Sequence, residues 1–223
     1  MATCRVCSKG ALPTMRSQKI EEIKKNLSLN DTQRSLVVGM LLGDGHLETS
    51  NGGRTYRLKV EHSMIQKEYT DWLYDQLKDL VRQPPKEKIR KDHNSYWFNT
   101  YSLGLFRFYA QQFYVGKQKR IPPLIHKLLD PLALAVWFMD DGSFKSRYHS
   151  TYIIHTLGYT KHDLELVKKI MKGVYGIEVG LHKQYDKYRL YVYSASAQTF
   201  KELMQPYIVP SLAYKLGNTM PKR

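Results

Sequence analysis

Two carboxylates stand out by where they sit. Asp44 ends the segment Ser35-Leu-Val-Val-Gly-Met-Leu-Leu-Gly-Asp44-Gly45, and Asp141 ends Pro131-Leu-Ala-Leu-Ala-Val-Trp-Phe-Met-Asp-Asp141-Gly142. Each is an apolar run that stops at an acid followed by glycine. One such segment alone is most simply a buried helix with an exposed acid at its end. Two of them indicate an internal duplication that brings two carboxylates to the same pole of the molecule. A helix C-terminus leaves carbonyl oxygens without intrahelical partners and carries the negative end of the helix dipole. A carboxylate added there makes an anionic, all-oxygen site of the kind Mg²⁺ prefers. Two such ends side by side repel until cations and a phosphodiester stand between them. Metal can then generate hydroxide and stabilise a leaving oxygen.

Composition says what surrounds these acids. With 42% hydrophobic and 25% charged residues, the 223-residue chain has the makeup of a globular protein with a core. No apolar stretch approaches the roughly 20 residues needed to span a bilayer. No signal-peptide hydrophobic region opens the chain, and its basic, polar start leaves a short organellar targeting role open. Lys and Arg total 35 against 20 Asp and Glu, a net charge of +15. A polyanion is the expected partner. The basic residues are interspersed with 17 Tyr and not gathered in one tail, which favours nucleic acid over a merely soluble basic protein. No strongly amphipathic basic helix stands out, so a membrane surface is not expected. Cys4 and Cys7 are the only cysteines, which excludes a disulfide framework and fits a reducing compartment. Their Cys-x-x-Cys spacing is half a zinc site, but no second Cys or His pair follows at finger spacing. Residues 1–29 are assigned to a basic N-terminal tail, flexible over 1–20.

Asn30 or Asp31 can cap a helix running to Asp44. On it Ser35, Gly39 and Gly43 recur every four residues, a small-residue stripe that lets another helix backbone approach; Leu132, Val136 and Asp140 hold the corresponding places in the second run. Gly45 and Gly142 follow the helix ends, where glycine is favoured. Strict alternation over Thr55–Glu61 predicts a strand with Tyr56, Leu58 and Val60 on one face. An amphipathic helix with Ile65, Tyr69, Trp72, Leu73, Leu77 and Leu80 on its apolar stripe comes next. Lys88–Lys91 and Tyr96–Ser102 read as a hairpin, Leu105–Tyr114 as a helix and Pro122–Leu129 as a short helix. The order then repeats. Strands are expected from Phe144 and over Thr151–Thr156, and a helix opens at Thr160-Lys-His-Asp163, which resembles a capping box. That helix turns Leu164, Val167, Ile170, Met171 and Val174 inward. Val179–Gln184 and Lys187–Tyr193 form a hairpin, and a helix over Ala195–Gln205 is stopped by Pro206. The fold class is α+β, two halves each reading αββαββα.

The polar strand faces supply a docking surface. A two-stranded ribbon fits the major groove, where Arg, Lys, Gln and Asn read base edges. Candidates are Arg54, Arg57, Lys59, Glu61, Lys88 and Arg90 in the first half. In the second they are Lys145, Arg147, His155, His182, Gln184, Lys187 and Arg189. Singly, each is as much a solvated residue or phosphate contact as a base reader; the signal is collective. Tyr96, Trp97, Tyr188 and Tyr191 are read as mostly core.

The motifs Val37-Val-Gly-Met-Leu-Leu-Gly-Asp-Gly45 and Leu134-Ala-Val-Trp-Phe-Met-Asp-Asp-Gly142 resemble the two signature helices of LAGLIDADG homing endonucleases in their single-chain, two-motif form. Glu61-His-Ser63 with Gln66-Lys-Glu-Tyr69, Lys119-Arg-Ile-Pro122 and Pro210-Ser-Leu-Ala-Tyr-Lys-Leu216 are similar to family segments in the same order, so the resemblance covers about residues 30–220. It implies two subdomains, 30–118 and 119–223, related by a pseudo-twofold axis. The motif helices would pack along that axis, and two antiparallel sheets would form a saddle over a long DNA site. It further implies Asp44 and Asp141 as metal-binding catalytic carboxylates, the carbonyls of Gly43 and Asp140 beside the metals, and Lys119 and Lys215 as basic neighbours that polarise water or steady the phosphate. Mg²⁺ is the implied cofactor, with Mn²⁺ substituting and Ca²⁺ binding without supporting cleavage. A monomer is implied, cutting each strand across the minor groove. The first Asp of the signature is replaced by Leu42 and Met139, positions not needed for metal. Where many relatives carry Gln after a strand Thr, Thr156 is followed by Leu157. The alternatives are an RNA-binding intron maturase and a catalytically silent DNA-binding regulator. The compartment follows the host intron: mitochondrion, chloroplast or prokaryotic cytoplasm.

Overall fold

The architecture comes from a computed structural model that describes residues 15–91, 93–145 and 150–217. Cys4, Cys7 and Arg147 lie outside the described residues. The chain runs α1 (Met15–Asn26), α2 (Asp31–Leu42), β1 (His46–Glu48), β2 (Arg57–Ser63), α3 (Lys67–Leu77), β3 (Lys86–Lys88), β4 (Ser95–Asn99) and α4 (Arg107–Phe113). A short hairpin, β5 (Tyr114–Val115) and β6 (Gln118–Lys119), and α5 (Ile125–Leu128) lead to the second round. That round is α6 (Pro131–Asp141), β7 (Gly142–Phe144), β8 (Tyr152–Ile154), α7 (Lys161–Tyr175), β9 (Val179–Gln184), β10 (Lys187–Val192) and α8 (Ala197–Met204). The two four-stranded sheets have the same antiparallel order, β1-β2-β4-β3 and β7-β8-β10-β9. Equal order in both sheets is what a duplicated unit leaves behind.

The centre is the α2–α6 pair. Both helices are apolar nearly all round, and Leu36, Val37, Met40, Leu41, Leu134, Val136, Trp137 and Phe138 are fully buried. Such helices belong inside a core, and each large side chain removed from water contributes about 1.5–3 kcal/mol. Asn30 caps α2 through a capping box with Gln33, and Asp130 caps α6 by accepting from the Ala133 N–H at 2.7 Å. The small-residue stripe meets α6 along its length. Ser35 Oγ donates to the Asp130 carboxylate, and a Cβ at Gly39 would stand 2.6 Å from Val136 Cβ and 2.5 Å from the Ala133 carbonyl. At Gly43 it would overlap the Asp140 carboxylate. The glycines at the helix ends are therefore there for space. Neither Gly45 nor Gly142 has a positive φ, so neither is the left-handed cap glycine that the sequence pattern suggests.

Several boundaries differ from the sequence reading. Residues 15–26, assigned to the tail, form α1, built from good helix formers (Met, Gln, Lys, Glu) with a Lys24–Glu21 pair at 2.7 Å and no sustained apolar stripe to reveal it. β3 lies at Lys86–Lys88, earlier than Lys88–Lys91. It is an exposed, charged edge strand defined only by pairing with β4, so it carries no alternation to read. Ile65 is 92% exposed because it sits in a separate 3-10 turn before α3, out of phase with the helix. Val174, expected inside, is 60% exposed in the last turn of α7 next to the left-handed Gly176 cap.

Gly39→Ala should destabilise the protein by about 1–3 kcal/mol, because the obstacle is partly backbone and cannot rotate away. Gly173→Ala, at an exposed position in α7 with nothing within 4 Å, should stabilise by about 0.5–1 kcal/mol. Denaturant midpoints of the two variants test the contrast.

Candidate active site and nucleic-acid surface

α2 and α6 end side by side, and each end carries its acid. Asp44 follows the Gly43 cap and is exposed; Asp141 is the last residue of α6 and is half-buried. Trp137, one turn earlier on α6, donates its indole N–H to Asp141 Oδ2 at 3.2 Å and so fixes that carboxylate's orientation. Burial, then the charges of Asp140 and Asp44, push the Asp141 carboxyl up to about 7. Asp44 is raised first by the protein packed around it and then by Asp140, against the opposing pull of His62, Lys119 and Lys215. Two crowded carboxylates thus resist carrying full charge together.

The two lysines occupy equivalent places. Lys119, in β6, donates to the Gly43 carbonyl at 2.5 Å. Lys215, 8% exposed in the 3-10 segment Pro210–Leu216, donates to the Met139 carbonyl and, at 3.1 Å, to the Asp140 carbonyl. Burial lowers both ammonium pKa values, and the three acids Asp140, Asp141 and Asp44 oppose that shift. Asp44, Asp141, Lys119 and Lys215 are therefore gathered at one pole, with the carbonyls of Gly43 and Asp140 between lysine and acid.

Sequence reasoning missed what lies behind them. The Asp140 side chain is fully buried, turned toward the first half. It accepts from Tyr69 Oη at 2.8 Å and from the Asp44 backbone N–H at 2.9 Å, and the His62 ring stands 3.5 Å away. Asp44, His62 and Asp140 offer ligand atoms within 4.8 Å of one another. From the second half, Tyr159 donates to the Leu42 carbonyl at 2.6 Å. His62 and Tyr69 sit in segments already singled out in the sequence, but nothing local shows that they reach across to α6.

Register assigns the strand residues to faces. In the first sheet His46, Glu48, Arg57, Lys59, Glu61, Lys86, Lys88, Ser95, Trp97 and Asn99 share the outward face, opposite the buried Leu58, Val60, Tyr96 and Phe98. Of the predicted contacts, Arg57, Lys59, Glu61 and Lys88 are thus brought together. Arg90 lies past β3 but returns to Glu61 at 2.5 Å, and Arg54 is exposed in the loop before β2. In the second sheet His182, Gln184, Lys187 and Arg189 share the outward face with Tyr191. His155 joins them beside Ser143 at 3.1 Å, and Lys145 lies over the Tyr191 ring at 5.1 Å. Tyr96 is core, and Tyr188 is half-buried against it. Trp97 and Tyr191 are not core: alternation turns both outward, with Tyr191 stacked on His182 at 4.0 Å.

The faces differ in charge. Acids pair with bases on the first: Arg57 with Glu48 at 2.7 Å and Lys59 with Glu61 at 3.1 Å. Burial acts to raise both glutamates, but hydrogen bonds, from Ser95 to Glu61 and from Arg57 to Glu48, together with the basic neighbours hold them below the usual carboxylate range. The strands of the second sheet contain no acidic residue.

The sequence matches the LAGLIDADG DNA endonuclease family over residues 34–200. It is 30% identical over 212 residues to DNA endonuclease I-ChuI of Chlamydomonas applanata, covering 86% of this chain and 97% of that protein. It is 29% identical over 213 residues to cytochrome b mRNA maturase bI2 of Debaryomyces hansenii, covering 91% of this chain and 80% of that one. Among solved structures, the homing endonuclease I-WcaI bound to its DNA recognition sequence shares the fold with a TM-score of 0.83 at 24% identity, covering 92% of this chain and 94% of that chain. Two apolar helices ending in acids, two sheets of equal strand order and a match spanning both repeats lead to one assignment: the chain belongs to the LAGLIDADG DNA endonuclease family.

Proposed function

We propose that the protein is a divalent-metal-dependent, site-specific endonuclease that cuts both strands of a long DNA site. The observation that carries this reading is the twofold arrangement at the helix ends: acid, main-chain carbonyl and lysine, repeated at Asp44, Gly43 and Lys119 and at Asp141, Asp140 and Lys215. Asp44 and Asp141 are the carboxylates that would hold cations, with the Gly43 and Asp140 carbonyls beside them. Each carbonyl has two lone pairs, so a lysine contact leaves one free. Oxygen donors suit Mg²⁺, and Mn²⁺ and Ca²⁺ accept the same ligands. The raised carboxyl pKa values fit the same reading, since crowded anions are what a cation relieves. When bound, such a cation supplies Lewis acidity and hydroxide at neutral pH.

The chain's own groups do the rest. Trp137 holds Asp141 in one orientation. Lys119 and Lys215 are pinned on carbonyls at the pole, where their charge can stabilise the negative charge that builds on phosphate oxygens. The outward sheet faces lie along the major groove. Long basic side chains there contact phosphates and base edges, while Trp97, Tyr191 and His182 offer flat surfaces. Each carboxylate serves one strand, and cuts across the minor groove leave short 3′ overhangs. The maturase among the relatives supports a second activity, in which the same faces take structured intron RNA by shape and phosphate contact. Splicing of the host intron with and without protein tests it.

On supercoiled plasmid carrying a site selected from a randomised library with Mg²⁺, Asp44→Asn and Asp141→Asn should each leave at most nicking, and the double variant should leave neither product. Full linearisation by the double variant would sink the proposal. Mg²⁺ at about 100 times its Kd should stabilise the wild-type chain by about 2.7 kcal/mol, read as a thermal shift that the double variant lacks. Lys187→Ala and Arg189→Ala should each reduce the slope of log affinity against log salt by about one if the side chain neutralises a phosphate. An unchanged slope removes that residue from the interface.

A further inference from the structure

The two halves of the site share the acid, carbonyl and lysine arrangement but differ in the residue just before each acid. Motif one has Gly43 there, and motif two has Asp140. The difference is not decorative. The Asp140 side chain fills the space that Gly43 leaves, since a Cβ at Gly43 would lie 2.5 Å from Asp140 Cβ and overlap its carboxylate. One Asp140 oxygen takes the Asp44 N–H at 2.9 Å, and the other takes the Tyr69 hydroxyl at 2.8 Å. His62 stands 3.5 Å from that second oxygen, its side chain 1% exposed, and its far nitrogen is tied to Thr70 Oγ1 at 2.9 Å. Tyr69 is completely buried, and its ring lies 4.9 Å from that of His62. Tyr69 and His62 of the first half therefore orient a carboxylate of the second half, which in turn grips the backbone of the first half's acid.

We propose that Asp140, held by Tyr69 and His62, is a positioning residue for Asp44, and that the site is functionally unequal as a result: one strand's cleavage depends on this buried network and the other's does not. The proposal rests on the endonuclease reading. Asp44 sits past the last turn of α2, where no side chain of its own helix fixes it. The charge-assisted hydrogen bond that its backbone N–H donates to the Asp140 carboxylate is a strong restraint on that backbone. Asp141 needs no equivalent, because it is still within α6 and Trp137 of the same helix holds its carboxylate. From the second half, Tyr159 bonds the Leu42 carbonyl and not an acid side chain.

The test uses the full chain with Tyr69→Phe and, separately, His62→Gln. Each leaves Asp140, Asp141 and both lysines in place. A duplex containing the selected site is end-labelled on either strand, and single-turnover rates with Mg²⁺ are measured for each cut. The expected result is that one strand, the one that Asp44→Asn slows, is cut roughly 10-fold or more slowly by both variants, since small misplacement of a reacting group costs about that much or more. The other strand should stay within about threefold, so nicked DNA accumulates. Equal slowing of both strands, as general loosening of the fold would produce, overturns the proposal, and so does no slowing of either. Melting curves of each variant identify loss of fold, and Tyr69→Phe keeps the buried ring. If the wild-type chain cuts neither strand, the endonuclease reading fails first, an outcome distinct from equal cutting by wild type and variant.

Discussion

Close approach of α2 and α6 is the constraint on which everything else depends. Gly39 and Gly43 present backbone and Ser35 only a short hydroxyl to the partner helix, so Asp130, Val136 with the Ala133 carbonyl, and Asp140 can each enter the surface of α2 at successive turns. That contact places two helix C-termini together, and with them two acids. The same contact joins the duplicated halves, each of which would otherwise expose an apolar helix. Fold and site therefore share one interface. The protein confines electrostatic repulsion to the pole where a cation can relieve it and fills the rest with tightly packed apolar side chains.

Around that interface the sheets repeat and the details diverge. The strand order is the same in both halves, yet the first outward face carries Glu48 and Glu61 among its bases and the second carries no acid in its strands. Glu61 fixes Lys59, Arg90 and Ser95 in place, so the first face is organised before anything binds. The second face depends on aromatic support, with Tyr191 beneath His182 and Lys145. A target read by two unlike surfaces need not be a palindrome. The pole shows the same divergence, where Gly43 and Asp140 replace one another across the pseudo-twofold axis.

Much of this was legible in the order of residues. Periodicity placed α2, α3, α6 and α7, the Thr160–Asp163 box opened α7 as expected, and alternation in Thr55–Glu61 located β2 and its outward bases. What failed were elements that get their structure from a partner. β3 is three charged residues held only by β4, and α1 has no apolar stripe. Trp97 and Tyr191 looked like core because aromatics usually are. Their direction is set by strand register, which composition does not contain.

The residues alone determined that there would be two helix-end acids, Asp44 and Asp141, with small residues between the helices and basic strands after each. Local pattern suffices for these because helix period, strand alternation and duplication are all properties of neighbours along the chain. Only the tertiary structure decided that Lys119 and Lys215 rest on carbonyls, and that Asp140 faces away from Asp141 to meet His62 and Tyr69. Those contacts join residues some 70 or more positions apart. A buried carboxylate goes where hydrogen-bond donors compensate its lost hydration. Which donors those are depends on how two helices and a strand happen to meet.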